Sequence, residues 1–291
     1  MRWHQAVLAV AIGAVLLAVP ASLSGQGAAP QSPATTARPW PPARTPDGQP
    51  DVQGSTWRPI DGGTHSLDPA RSSAVDFQER LTGVVKPTRS RIVDPPDGHI
   101  PYQPWAAALL KGLAAAYENP TRPEHIDTQT RCFVPGVPRL YYVPTFRILQ
   151  PPGSVVFVWD EYHAFRVIPL DGRPHVGTGV KLWMGDGRGR WEGNTLVVDT
   201  TNLRAKSRLD VLGDFFSDTA RIQERFIFVD ANAMNYEATI TDPTVFTRPW
   251  TMRVAQRRMP DEEFWEWACH EGERDAAITA GTDIGPAAEK K

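Results

Sequence analysis

From Arg147 onward, apolar and polar positions alternate with the two-residue period of strands that bury one face. Residues 154–159 form a nearly all-apolar run, and residues 163–169 look like its hairpin partner, ending at the turn Asp171-Gly172. The turn Trp191-Glu192-Gly193-Asn194 leads into 195–201, where Leu196 and Val198 alternate with Val197 and Asp199. Residues 221–229 and 234–241 flank Asp230-Ala231-Asn232-Ala233, which has the composition and spacing of a hairpin turn. A last hairpin is expected from 251–257 and 263–269 around Met259-Pro260-Asp261, and 51–57 reads as a first strand. One helix is expected over 105–117, with Trp105, Leu109 and Leu113 on one face and Asn119-Pro120 as its stop. A second, shorter helix is expected around 73–81. The pattern predicts a mainly β fold, an antiparallel meander forming a barrel or sandwich, with one or two short helices in the N-terminal part. Alternating βα units are absent, which excludes a doubly wound sheet.

The ends add a destination. Arg2 precedes an uncharged apolar run over 6–19 that gives way to Pro20-Ala21-Ser22-Leu23-Ser24-Gly25, the three regions of a secretory signal peptide. That run is shorter than the roughly 20 residues of a membrane span, so we expect a signal peptide over 1–25 and a periplasmic or secreted mature protein, with no membrane insertion after signal removal. Residues 26–50 are rich in Pro, Ala, Gln and Ser and read as a solvated linker. One β-rich domain is expected over 51–275 and a flexible tail over 276–291. The net charge of −2, with both signs interspersed, gives no electrostatic case for nucleic acid or an anionic membrane. A small-molecule substrate or ligand is the expected partner, and oligomeric state stays open. Cys132 and Cys269 are the chain's two cysteines, either a disulfide or two buried thiols.

Several blocks resemble a large family of secreted, functionally uncharacterised bacterial proteins. They are Pro46 to Gly54, Asp94-Pro95-Pro96-Asp97-Gly98, Ile168 to His175, Trp183-Met184-Gly185-Asp186, Arg188 to Thr200 and Cys269-His270-Glu271. The Trp-Met-Gly-Asp to Val-Val-Asp-Thr stretch is the most specific. The resemblance covers nearly the whole mature chain and implies export and a β-rich domain, with no activity to carry over. Relatives often show histidines around the Ser217-Asp218 step, where this chain has Phe216 and Arg221. A Trp near the start of a barrel is also similar to lipocalin-like proteins.

Familiar chemical motifs mostly fail. There is no Gly-x-Ser-x-Gly elbow and no Walker loop, and the glycines from Gly185 to Gly189 are wrongly spaced for a dinucleotide fingerprint. His270-Glu271 begins like a zinc-protease helix but has Arg274 where the second His must stand. His163, His175 and His270 lack the local spacing of a metal site, so no metal is expected. An acid–base set is the better candidate. His163 would carry the proton, Glu161 or Asp199 would orient it, and Arg188 would stabilise negative charge. Ten tryptophans suggest an aromatic interior, with Trp159, Trp183, Trp191, Trp265 and Trp267 joined by Arg166 and His270 as ligand-binding candidates. Arg166, Arg188, Arg190, Arg248, Arg253 and Arg257 are expected to pair with Glu224, Glu237 and Glu266 across strands.

Two functional classes follow. One is an exported enzyme without organic cofactor, a hydrolase or lyase acting on a small organic substrate by general acid–base chemistry. The alternative is a non-catalytic β-barrel that binds a small ligand. The enzyme requires His163, Asp199 and Arg188 to converge, whereas the carrier requires an aromatic pocket with those groups on its rim.

Overall fold

Ten strands pair into one antiparallel sheet that curls into a nearly closed barrel. The computed structural model describes residues 42–60, 66–68, 90–117 and 120–267. The strands are β1 (Thr56–Pro59), β2 (Ile92–Asp94), β3 (Phe146–Leu149), β4 (Ser154–Trp159), β5 (Phe165–Pro169), β6 (Asp186–Glu192), β7 (Thr195–Thr201), β8 (Arg221–Asp230), β9 (Ala233–Thr241) and β10 (Trp250–Met259). Their order is β5-β4-β3-β1-β10-β9-β8-β7-β6, with β2 beside β10.

Alternation decides what enters the barrel. Along β8, Ile222, Glu224, Phe226 and Phe228 are buried, and along β9 Met234, Tyr236, Ala238 and Ile240 are buried. Phe226 faces Tyr236 across the ladder, and Ala231-Asn232 turns the chain between the strands, with the Asn232 amide donating to Asp230 Oδ1 at 2.7 Å. Both edges of β10 are occupied, by β9 on one side and by β1 and β2 on the other. The expected strand over 263–269 therefore has no free edge to join, and the described residues 263–267 form none.

An odd number of strands on an antiparallel path leaves its two ends, β5 and β6, running in the same direction. Parallel neighbours need a long crossover, and the chain over 170–185 supplies it. No ladder joins β5 to β6 among the described residues. Instead β5 side chains fill the space above two β6 glycines. A Cβ at Gly187 would lie 2.8 Å from Ile168 Cδ1, and one at Gly189 would lie 2.6 Å from Ile168 Cγ2.

The interior is built around Tyr141, carried on the 3-10 turn Arg139–Tyr141. Its ring contacts Phe146, Phe157, Trp159, Phe226 and Tyr236 at centroid distances from 4.5 to 5.6 Å. Beside it lies a buried ion pair, in which Arg166 donates to both Glu224 oxygens at 2.9 and 2.7 Å. Thr200 Oγ1 and Tyr236 OH donate to the same carboxylate, and the Tyr141 hydroxyl accepts from Arg166. The carboxylate and both terminal guanidinium nitrogens are thus engaged, as burial of an ion pair requires.

Two further expectations change. The helix α1 (Pro104–Tyr117) forms, but Ala106 and Leu110 are its buried positions, while Trp105 and Leu109 are half exposed. Tertiary packing selected a neighbouring face because Trp105 instead donates its indole N–H to the Thr244 carbonyl. Part of the expected linker over 26–50 belongs to the domain. Arg44 bridges to Pro50, Asp47 accepts from Thr45 and Gln49, and the Val52 amide donates to Gln150. The expected helix around 73–81, the signal segment over 1–25 and the tail over 276–291 lie outside the described residues. No described helix is long and apolar enough to cross a membrane.

Candidate functional site

The antiparallel path divides the barrel into two ends. At one end short turns join the strands, at 150–153, 193–194 and 231–232. At the other end lie the long segments over 95–145, 202–220 and 242–249 and the β4–β5 connection. Ionisable groups concentrate at this loop end, where chain not committed to ladders can position them.

The turn following Asp127 is the scaffold. Asp127 Oδ1 accepts from the Gln129 amide, and the Phe133 amide donates to the Thr128 carbonyl at 3.0 Å. Arg139, buried completely, grips Asp127 with both terminal nitrogens, at 2.7 and 2.9 Å, and donates to Gln129 Oε1 at 2.7 Å. That bond fixes the Gln129 amide, turning Nε2 toward Glu161 Oε2 at 3.4 Å.

Glu161 sits in the tight link Glu161–His163 between β4 and β5. Asp160 Oδ1 accepts from its amide, Thr145 holds Asp160 Oδ2, and the Ala164 amide donates to the Glu161 carbonyl. Tyr162 and His163 both take left-handed backbone conformations, with φ of 61° and 48°. Non-glycine residues in that region cost of order 1–3 kcal/mol each and gather at functional sites. Burial, reinforced by the Asp160 charge and opposed by Gln129 and Arg139, pushes the Glu161 carboxyl up to about 7. Tyr162 is buried, with its ring edge-on to Trp267 at 4.6 Å. The turn also holds Cys132, at a φ of 57° and disulfide-bonded. Cys269 lies outside the described residues.

The sequence-derived set does not assemble. His163 points to solvent, and no hydrogen bond or ion pair among the described residues joins it to Glu161, Asp199 or Arg188. Because Thr200 faces inward, Asp199 faces outward, where Arg190 and Gln223 donate to it at 2.7 and 3.1 Å. Arg188 serves Asp186 and the Pro174 carbonyl. Of the ligand-binding candidates, Trp159 is core and donates to the Leu140 carbonyl, Arg166 is locked to Glu224, and Trp191 donates to Gln49. Trp183 stacks on Phe133, Trp267 packs on Tyr162, and Trp265 is 70% exposed. His270 lies outside the described residues.

Sequence reading missed Asp127, Gln129 and Arg139, and the close spacing of Asp127 and Gln129 before a Gly-Val-Pro-Arg stretch was the available signal. It also missed two carboxylate–imidazole pairs. Buried Asp68 accepts from His99 Nδ1 at 2.6 Å, and Asp186 meets His175 Nδ1 at 3.0 Å. Asp186 is held low: burial pushes upward, but the Val176 amide, His175 and Arg188 outweigh it. No cluster of three or more metal-ligating side chains occurs among the described residues.

These features define a nearly closed antiparallel barrel with an ionisable loop end. No protein-family model matches the chain, and no curated protein matches it.

Proposed function

We propose that the protein is an exported enzyme that acts on a small organic substrate by general acid–base chemistry, as a hydrolase or lyase, with Glu161 as the group that carries the proton. The observation that supports this is the setting of Glu161. It is a half-buried carboxyl beside Asp160 and a fixed Gln129 amide, held on a link with two consecutive left-handed residues. A carboxyl that titrates near neutrality exchanges protons most effectively at working pH. Arg139 and Asp127 act as positioning residues, since they are paired through both terminal guanidinium nitrogens and together orient Gln129. This assignment replaces His163 as proton carrier and leaves Asp199 and Arg188 to the outer wall.

The carrier alternative has less support, because Tyr141 and its ring contacts occupy the aromatic interior that such a ligand would need. Periplasmic or extracellular location and membership of the secreted bacterial family belong to the same proposal. They are supported by the amino-terminal pattern and the sequence blocks alone.

The test is a panel of ester, amide, phosphate and glycoside substrates assayed from pH 5 to 9 with the mature protein and with Glu161→Gln. The reading expects turnover with a limb near pH 7 that the variant loses. Turnover unaffected by the substitution, or no turnover in any class, would refute it.

A further inference from the structure

Of the two carboxylate–imidazole pairs, the one on His99 opens more widely to water. Its ring donates from Nδ1 to Asp68 Oδ2 at 2.6 Å, and the His99 side chain is 47% exposed while that of Asp68 is 1% exposed. The His175 side chain in the other pair is 31% exposed. No hydrogen bond among the described residues engages His99 Nε2. Three chain segments hold the two partners in place. Leu67, fully buried, donates its amide to Asp210 Oδ2 at 3.4 Å, and its carbonyl accepts from the Arg91 amide at 3.0 Å. That bond sets Asp68 beside the start of β2. Ser90 Oγ donates to the Gly98 carbonyl at 2.7 Å, the His99 amide donates to Asp97 Oδ1 at 3.0 Å, and Ile100 is buried. The backbone on both sides of the imidazole is thereby fixed before any ligand arrives, as a proton-transferring group requires.

A neutral imidazole whose Nδ1–H is held by a carboxylate carries its lone pair on Nε2. The same carboxylate stabilises the imidazolium that forms when Nε2 takes a proton. With Nδ1 turned to a buried carboxylate and nearly half of the side chain in water, Nε2 is the nitrogen left for a substrate. His163 supplies the comparison, an exposed imidazole that no hydrogen bond or ion pair among the described residues joins to a carboxylate.

We propose that Asp68 and His99 form a second proton-transfer site, distinct from Glu161, that hydrolyses small esters of acidic alcohols such as phenols and enols. His99 Nε2 takes a proton from a water molecule as the water oxygen bonds to the acyl carbon. The ester C–O bond then breaks, the imidazolium returns that proton to the departing oxygen, and the products are a carboxylic acid and the free alcohol, with His99 neutral again. Acidic alcohols depart without a strong acid, so one oriented base is sufficient for the step. His99 is the catalytic residue of this site and Asp68 its positioning residue. The proposal goes beyond the Glu161 reading and does not rest on it.

The experiment is hydrolysis of p-nitrophenyl acetate by the mature protein, beside His99→Gln, Asp68→Asn, His163→Gln and Glu161→Gln. The protein-catalysed rate should fall about tenfold or more in His99→Gln, by less in Asp68→Asn, and not in His163→Gln. Nitrogen-15 NMR of the neutral imidazole supplies a readout that a merely structural carboxylate would not move. His99 should be the Nδ1–H tautomer in the wild type and a mixture of tautomers in Asp68→Asn. Circular dichroism establishes that the variants fold, and if Asp68→Asn does not, the wild-type tautomer alone decides the role of Asp68. Absence of protein-catalysed hydrolysis, a loss in His163→Gln as large as in His99→Gln, or a wild-type Nε2–H tautomer overturns the proposal. Glu161→Gln separates the two sites. Turnover lost with His99 and kept without Glu161 leaves this site standing whatever becomes of the other. Turnover lost only in Glu161→Gln removes this site and leaves the other, and loss in both variants would make them one site and overturn the claim of a second.

Discussion

Replacing Glu224 by Gln keeps the shape of the side chain and removes one charge from the centre of the barrel. Glu224 is fully buried and Arg166 is 3% exposed, so water cannot compensate the cation that remains. Breaking one side of such a pair costs about 3–5 kcal/mol. For a domain of this size that corresponds to a fall of about 6–20 °C in Tm. Arg166→Met should cost a similar amount, because the carboxylate then keeps only the Thr200 and Tyr236 hydroxyls as donors. The double variant removes both charges together, while the carboxamide introduced by Glu224→Gln still accepts from one of those hydroxyls through its oxygen and can donate to the other through its NH2. Its cost should therefore fall short of the sum of the singles by about 2–3 kcal/mol, the interaction term of a double-mutant cycle. Urea unfolding followed by tryptophan fluorescence measures all four proteins, with a constant m-value showing that stability alone has changed. A cost below about 1 kcal/mol for Glu224→Gln, or simple additivity, would show that the pair does not organise the interior as argued.

Other outcomes follow from local geometry. Because the folded protein holds the Glu161 proton up to about 7, against 4.5 ordinarily, it binds more protons than the unfolded chain in between, and stability should fall as pH rises through that window. Glu161→Gln should flatten that slope and stabilise the protein at pH 8 by up to about 3 kcal/mol, read as Tm against pH. At Gly136, with φ of 79°, an added Cβ would stand 2.4 Å from the Trp183 carbonyl oxygen. Gly136→Ala should accordingly cost about 2–4 kcal/mol in urea unfolding, and an unchanged midpoint would contradict the close approach. Reducing the disulfide at Cys132 should lower stability by about 2–5 kcal/mol, measured as Tm with and without dithiothreitol.

Strands whose alternation is carried by large apolar residues were legible in the sequence, and 154–159 and 195–201 match β4 and β7 residue for residue. β6 was not legible as a strand, because glycine disfavours extended structure and its inward positions are Gly187 and Gly189. Its period of two is nevertheless present, glycine inside and arginine outside, once Ile168 and Leu170 are known to fill the space above it. For the site, sequence reading singled out Glu161 but attached it to His163, one position into the left-handed link that turns the imidazole away. Arg166 and Glu224 were both named among pairing residues. Their union spans the barrel rather than adjacent strands, and no local pattern encodes a contact across a lumen. Gln129 gained its role from Arg139, a partner ten residues away that chain geometry alone brings into place.

The glycine-lined contact between β5 and β6 gives the wall a direction of least resistance. Elsewhere parting two strands breaks backbone pairing, whereas here only side-chain packing holds them. Amides along that margin should exchange with solvent sooner than those of β8 and β9. Since Gly187 lies directly over Arg166, a brief lateral breath of the cylinder would wet its central charges from the side, without disturbing the rim where the loops gather.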